Sequence, residues 1–390
     1  MRSNSLKETL ESLQESLAAS DCIDGLTHGF YHYPARFSPL VARNVIQQFS
    51  NRNDWILDPF MGGGTTAVEG LALGRRVIGT DINPLAHFVA DARTAPLSVN
   101  DEAEIRRWVT RSERILAGSY VDLVAPMGIK NMPMALDSFM SAALSLLPRL
   151  PKLRQQAFAR CALLRLGQWA LDGRERSTPR RGKLASHLAI IIDGMITGLS
   201  DLVAECARAG VRKRRILSRR ILINASAAEL AALRPLSALD RRPRLVFTSP
   251  PYPGVHVLYH RWQHRGRKET PAPYRIAAVI DGKPSSYYTA GSRTPTGLDR
   301  YFATIEEAFR AVHAVTSQGV TVVQIVGFSR PKAQVSRYLT AMERAGFEPW
   351  TLSNGDDIRL SRQVHNRKWY HRVRHQRAGG SELLFIHRKA

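Results

Sequence analysis

Cysteine is scarce in this chain. Cys22, Cys161 and Cys206 are scattered without disulfide or metal-ligand spacing, which excludes a stapled secreted scaffold, supplies no metal set and predicts a reducing compartment. Long apolar runs are also lacking. The most apolar stretch, Leu188 to Leu199, reads as too short to cross a bilayer and carries Asp193. The opening MRSNSLKETLESLQESLAAS is polar and amphipathic, unlike a signal peptide. A soluble, cytoplasmic chain with no membrane partner is expected, nucleoid-associated if it binds DNA. Acid is under-represented: 33 Asp and Glu face 56 Lys and Arg, a net charge of +23. Solubility needs far less, so the excess predicts a polyanionic partner, nucleic acid ahead of an anionic membrane surface.

What is present centres on Thr248-Ser249-Pro250-Pro251-Tyr252. It follows Leu245-Val246-Phe247, which reads as a buried strand. Two prolines end a strand, so the loop should sit at the carboxyl edge of a sheet, where open α/β sheets bind ligands. A hydroxyl, fixed carbonyls and an aromatic face there suit a planar amino group and its ring. A Pro-rich turn after a core strand is the plainer reading. A second stretch, ILDPFMGGGTT at 56–66, is a strand, an acid, a glycine cluster and a helix start. A third, VIGTDINP at 77–84, ends a strand on Asp81, suited to the two hydroxyls of a ribose. No Gly-Lys-Ser/Thr follows the glycines, which disfavours a phosphate loop.

Together the blocks resemble the amino-methylating DNA methyltransferases. That family carries Asp-Pro-Phe-x-Gly-x-Gly-Thr-Thr for its cofactor and an Asp/Asn/Ser-Pro-Pro-Tyr/Phe catalytic loop. HYPARFSP at 32–39 is similar to the family's block that closes over the methionine end of the cofactor. The resemblance implies S-adenosylmethionine held by Tyr33, Phe37, Asp58, Pro59, Phe60, Gly62, Gly64, Thr65, Thr66, Asp81 and Asn83. Asn224 or Ser226 would take the place of an acid that usually follows the third strand. It implies catalysis by Ser249, Pro250, Pro251 and Tyr252 on a flipped base of double-stranded DNA. Ser rather than Asp at 249 resembles the cytosine-N4 branch more than the adenine-N6 branch. RNA amino-methylation and an inactive nucleic-acid-binding module are the rival readings. A cognate restriction endonuclease is left open as a second partner, and no metal is called for.

The expected fold is α/β: a Rossmann-like, seven-stranded S-adenosylmethionine-dependent methyltransferase sheet with an α-helical insertion. Residues 1–20 read as an N-terminal helix, a solvated cap. Residues 21–100 read as the cofactor half, 101–210 as the helical insertion with a share in target recognition, and 211–390 as the catalytic half with DNA-facing loops at 254–300. Glu69 reads as part of a solvated helix face and His87 as a packed or surface histidine. Candidate nucleic-acid contacts are Arg180 and Arg181 in an Arg-rich loop that could equally be a charged linker, the cluster Arg212, Lys213, Arg214 and Arg215, and His256, Tyr259 and Arg261 after the catalytic loop.

Overall fold

The computed structural model describes residues 3–19, 25–32, 37–171, 178–253, 262–264, 268–280, 291–292, 294–352, 355, 357–364 and 380–389. Helices α1 (Ser3–Ala18) and α2 (Pro39–Phe49) precede β1 (Trp55–Asp58), α3 (Thr65–Ala72), β2 (Arg76–Thr80) and α4 (Pro84–Thr94). Five helices follow without a strand: α5 (Val99–Ala117), α6 (Tyr120–Leu123), α7 (Met134–Ser145), α8 (Leu153–Leu171) and α9 (Arg181–Arg208). The chain returns to the sheet in β3 (Arg220–Ile223), then makes α10 (Arg234–Ser237) and β4 (Leu245–Thr248). A small hairpin, β5 (Trp262–His264) and β6 (Lys268–Thr270), leads into α11 (Ala272–Ala277). The closing elements are α12 (Pro295–Val315), β7 (Thr321–Gly327), α13 (Pro331–Arg344), β8 (Phe347–Pro349), β9 (Arg359–Val364) and β10 (Gly380–Lys389).

The main sheet runs β3-β2-β1-β4-β7-β10-β8, with β9 beside β10. β3, β2, β1, β4 and β7 are parallel, and β10 is antiparallel to its three neighbours. The strand order reverses between β1 and β4, so a crevice opens at their carboxyl ends. The sheet has eight strands where seven were expected. β8 covers only Lys389 to His387 of the long β10, and β9 pairs with Phe385 to Gly380. That satisfies backbone groups an exposed edge would leave to water.

Period-2 alternation divides the strand side chains between two cores. Ile56, Phe247, Val323 and Ile325 face α1 and α2, where Leu13, Leu17, Val41 and Ile46 are buried. Leu57, Val246, Val322 and Phe385 face the opposite way, onto Ile305 and Phe309 of α12 and Met342 of α13. α1 is therefore no solvated cap. Its apolar stripe is buried, and Gln14 donates to the Ser361 carbonyl at 3.2 Å.

The helices of 99–208 share a third core with α4, Trp262 and α11. Helix α9 is longer than the apolar run inside it and, by length and composition alone, is long and apolar enough to cross a membrane, which corrects the expectation from the run. One such helix is weak evidence, because core helices of soluble proteins pass the same test. Here Leu188, Ile192, Met195 and Leu199 are buried in the helical core, and Leu202 and Cys206 pack on α3.

Glu69 of α3 is also not on a solvated face. It is buried, with Oε1 2.8 Å from His28 Nε2 and Oε2 accepting from Arg43 Nε at 2.7 Å. A carboxylate withdrawn from water keeps its charge only with such partners. Glu69→Ala strips the acid from this cluster and is expected to lower stability by about 3 kcal/mol. Urea unfolding of the variant checks it. A change near zero would mean that water replaces the carboxylate at no cost.

Candidate cofactor and methyl-transfer site

Asp58 ends β1 and is buried. Its Oδ1 accepts from the Thr248 hydroxyl at the end of β4, at 2.6 Å, and from the Phe60 N–H at 3.2 Å. Its Oδ2 has no hydrogen-bond partner among the described residues. Burial pushes the carboxyl up to about 6, against the Thr248 hydroxyl, which holds it down. Asp81, just past β2, accepts from Gly62 N–H at 2.9 Å through Oδ2 and from Asn83 N–H at 2.8 Å through Oδ1. Burial pushes it up to about 6 as well. Each oxygen keeps a second lone pair for a hydroxyl. Asn224, at the end of β3, donates to the Asp81 carbonyl at 2.7 Å, so these two polar groups meet at one sheet edge.

The glycine turn is built for close approach. Gly62 has φ +49° and Gly64 φ +81°, the left-handed region that glycine tolerates. A Cβ on Gly64 would also come within 2.8 Å of the Ala90 Cβ, so this glycine lets α3 pack on α4. Thr65 and Thr66 are buried in the first turn of α3, and Thr66 Oγ1 donates to the Phe247 carbonyl at 3.4 Å. Phe60 is half-buried and Pro59 buried. Phe37 is buried, 4.6 Å from the Phe247 ring between centroids, so it packs under β4.

Asn83 has a structural duty. It is buried as the N-cap of α4, its Oδ1 accepting from Leu85 N–H at 3.0 Å and from the Tyr274 hydroxyl at 3.2 Å. The side-chain oxygen is therefore spent on capping α4 and on Tyr274. His87 is half-buried, its Nε2 3.2 Å from the Leu222 carbonyl.

Sequence reasoning passed over Arg93. This guanidinium is fully buried and donates to the Gly63 carbonyl at 2.5 Å, the His28 carbonyl at 3.0 Å and the Tyr31 carbonyl at 2.5 Å. It pins the glycine turn to the segment that leads into HYPARFSP. Tyr33 itself lies outside the described residues.

Ser249 is half-buried at the end of β4. Its hydroxyl donates to the Ile325 carbonyl of β7 at 2.9 Å and lies 3.4 Å from the Tyr252 oxygen. A hydroxyl has one proton, and the shorter contact takes it, so the Ser249 lone pairs are left as acceptors. Pro250 is buried and Pro251 half-buried. Tyr252 is buried, 5% exposed. Its hydroxyl donates to Glu382 Oε1 at 2.7 Å, and Glu382 Oε2 accepts from Arg362 Nε at 2.9 Å. Neither Glu382 nor Arg362 was foreseen, since both lie on strands with no motif.

The described candidate nucleic-acid residues, Arg180, Arg181 and the cluster 212–215, are not brought together. Arg212, Lys213, Arg214 and Arg215 are exposed, but they precede β3 and so lie at the amino edge of the sheet, opposite Ser249. Lys213 Nζ is 3.9 Å from Glu102. Arg180 is exposed at the N-cap of α9. Arg181 is tied down in a two-pronged pair with Asp122, at 2.8 and 2.9 Å. His256, Tyr259 and Arg261 lie outside the described residues. Among the described residues no cluster of His, Cys, Asp and Glu could hold a metal ion.

The parallel sheet with its switch point, the glycine turn after β1 and the acid after β2 define the fold of S-adenosylmethionine-dependent methyltransferases. Residues 5–90 match the family model N6_N4_Mtase, described as a DNA methylase. Over 75 residues, 18% of this chain, it is 47% identical to the type II methyltransferase M.MvaI of Kocuria varians and covers 16% of that protein. It is 36% identical over 66 residues to the type II methyltransferase M.MjaII of Methanocaldococcus jannaschii, 17% of this chain and 12% of that one. Each match thus spans under a fifth of the relative's length. Among solved structures, an rRNA methylase from Streptococcus thermophilus aligns over 89% of this chain and 94% of its own, at 9% identity and a TM-score of 0.32, a likeness too faint to bear on the fold. Over residues 5–90 the chain is therefore similar to the amino-methylating DNA methyltransferases, enzymes that use S-adenosylmethionine. The spare lone pairs of half-buried Asp81 fit that molecule's ribose hydroxyls.

The raised carboxyls carry a pH signature. A carboxyl whose folded value lies above its unfolded one binds protons more tightly when folded. Asp58 and Asp81 therefore leave the ligand-free protein undisturbed below pH 4, and cost it stability as pH rises through 6. Asp58→Asn is expected to raise the melting temperature at pH 7.5 and leave it near unchanged at pH 3.5. Thermal melts at both values check this, and equal shifts would assign the effect to something other than charge.

Proposed function

We propose that the chain is a DNA methyltransferase that moves the methyl group of S-adenosylmethionine to the exocyclic N4 of a flipped cytosine. The observation that carries the reading is Ser249, whose hydroxyl donates to the Ile325 carbonyl and so keeps its lone pairs to accept, at the sheet edge where Asp58 and the glycine turn also end. The cofactor supplies an electrophilic methyl on a sulfonium. Asp81 accepts from the ribose hydroxyls, Asn224 and Phe60 border the same edge, and the turn Gly62 to Gly64 lets the backbone come close. An exocyclic amine is a poor nucleophile, because its lone pair is shared with the ring. Ser249 Oγ and the Pro250 carbonyl accept from the amino hydrogens and localise that pair on nitrogen. Holding nitrogen and methyl in line then supplies much of the rate.

The target base must leave the duplex to reach this edge. The charge of +23 gives the phosphate attraction. The domain division at 1–20, 21–100, 101–210 and 211–390 belongs to this reading, as do a cytoplasmic site, nucleoid association and a cognate endonuclease. Ser at 249 is what favours cytosine over adenine.

Incubation with labelled S-adenosylmethionine, DNA and RNA, followed by mass spectrometry of the nucleosides, tests the reading. N4-methylcytosine from DNA is expected. N6-methyladenine would move the base assignment, label in RNA alone would change the substrate, and label in neither would end the proposal. Ser249→Ala should lower single-turnover transfer by about 10²-fold with cofactor affinity unchanged. Asp81→Ala should instead cost cofactor binding about 1–3 kcal/mol, read by calorimetry.

A further inference from the structure

The carboxylate Glu382 is the least expected group beside the catalytic loop. It stands at the start of β10, which runs antiparallel to β7, so it lies at the carboxyl edge with Ser249. Arg362 is its direct cross-strand partner on β9. The carboxylate is 6% exposed, with one oxygen taken by the Arg362 guanidinium and the other by the Tyr252 hydroxyl. Burying an ion pair costs desolvation that its attraction barely repays, so stability alone gives little reason for it. Its geometry gives another. The Tyr252 oxygen spends its proton on Glu382 and turns its lone pairs towards Ser249, 3.4 Å away. On the far side the Ile325 carbonyl, within β7 and level with Ser249, takes the Ser249 proton.

We infer that Glu382, held by Arg362, is a positioning residue for methyl transfer, fixing the Tyr252 hydroxyl and through it the acceptor set of Ser249. The inference rests on the proposed methyltransferase reading of Ser249. It assigns the Tyr252 hydroxyl a part of its own, so Tyr252→Phe leaves a buried carboxylate short of a donor and is expected to slow transfer. Glu382→Gln keeps an acceptor oxygen of the same size facing Tyr252. Glu382→Ala removes it. Arg362→Lys keeps the charge and loses the planar fork.

The test uses the full chain with 3-fluorotyrosine placed at position 252, observed by fluorine NMR, alongside single-turnover methyl transfer to DNA and calorimetric S-adenosylmethionine affinity. The unsubstituted chain should give one sharp resonance. Glu382→Ala should broaden or split it and slow transfer by about 10²-fold, as misplacement of a reacting group does, with cofactor affinity within about two-fold. Glu382→Gln should recover most of the rate and the sharp line. An unchanged line and rate in Glu382→Ala would overturn the inference. So would a slow Glu382→Ala whose melting temperature and cofactor affinity fall in step and which Glu382→Gln does not rescue. If the parent chain methylates no nucleic acid, the functional reading fails, and the fluorine line alone decides whether Glu382 orders Tyr252.

Discussion

The hydrogen bond from Thr248 to Asp58 holds together the two strand ends on which the site is built. β1 and β4 are neighbours in space but nearly two hundred residues apart in sequence, and only Ile56–Leu245 and Leu57–Val246 register them as strands. Beyond that register the chains diverge, one into the glycine turn and one into the Pro-Pro loop. The 2.6 Å contact is the last tie before they part. It is buried, so water does not compete for it, and it sets the separation of the two loops.

Arg93 does for the glycine turn what Asp58 does across the crevice. A guanidinium with no solvent must spend its donors on the protein. Here they go to three carbonyls, one on the glycine turn and two in the 28–31 segment, so two stretches that cannot form a ladder are held by one cation. The helical insertion is built into this arrangement. Tyr31 accepts from Trp262 Nε1 at 2.9 Å, and Gly167 of α8 leaves room for the Trp262 ring. Tyr274 of α11 reaches the cap of α4. Trp262 and Tyr274, both beyond the Pro-Pro loop, therefore tie that part of the chain to Tyr31, α8 and α4.

The site is held at a cost. Asp58 is buried and Asp81 half-buried, and both resist ionisation. His387 on β10 is buried with neither ring nitrogen partnered among the described residues, and burial pushes it down to about 3, so it stays neutral. Polar groups withdrawn from water are spread along the carboxyl edge and its flanking strands. A protein selected for stability alone would place apolar groups there.

The one-dimensional pattern determined the five parallel strands, the glycine turn, the end of β4 at the prolines and the helical run between β2 and β3, because each depends on residues close together in the chain, but it did not show β9 or the β5–β6 hairpin. Periodicity placed Ile56 and Leu57 on opposite faces, and the basic excess pointed to a polyanion. The roles of Asn83, Glu69 and the Tyr252 hydroxyl were decided elsewhere, by Tyr274, by His28 and Arg43, and by Glu382. Short-range pattern carries no record of such partners. A cluster such as Arg212 to Arg215 looks like a binding patch in sequence, yet strand direction puts it at the edge away from Ser249. Local chemistry told which groups could react. Only the long-range pairing of strands, which sets what stands beside each group when water is expelled, decided which of them are free to do so.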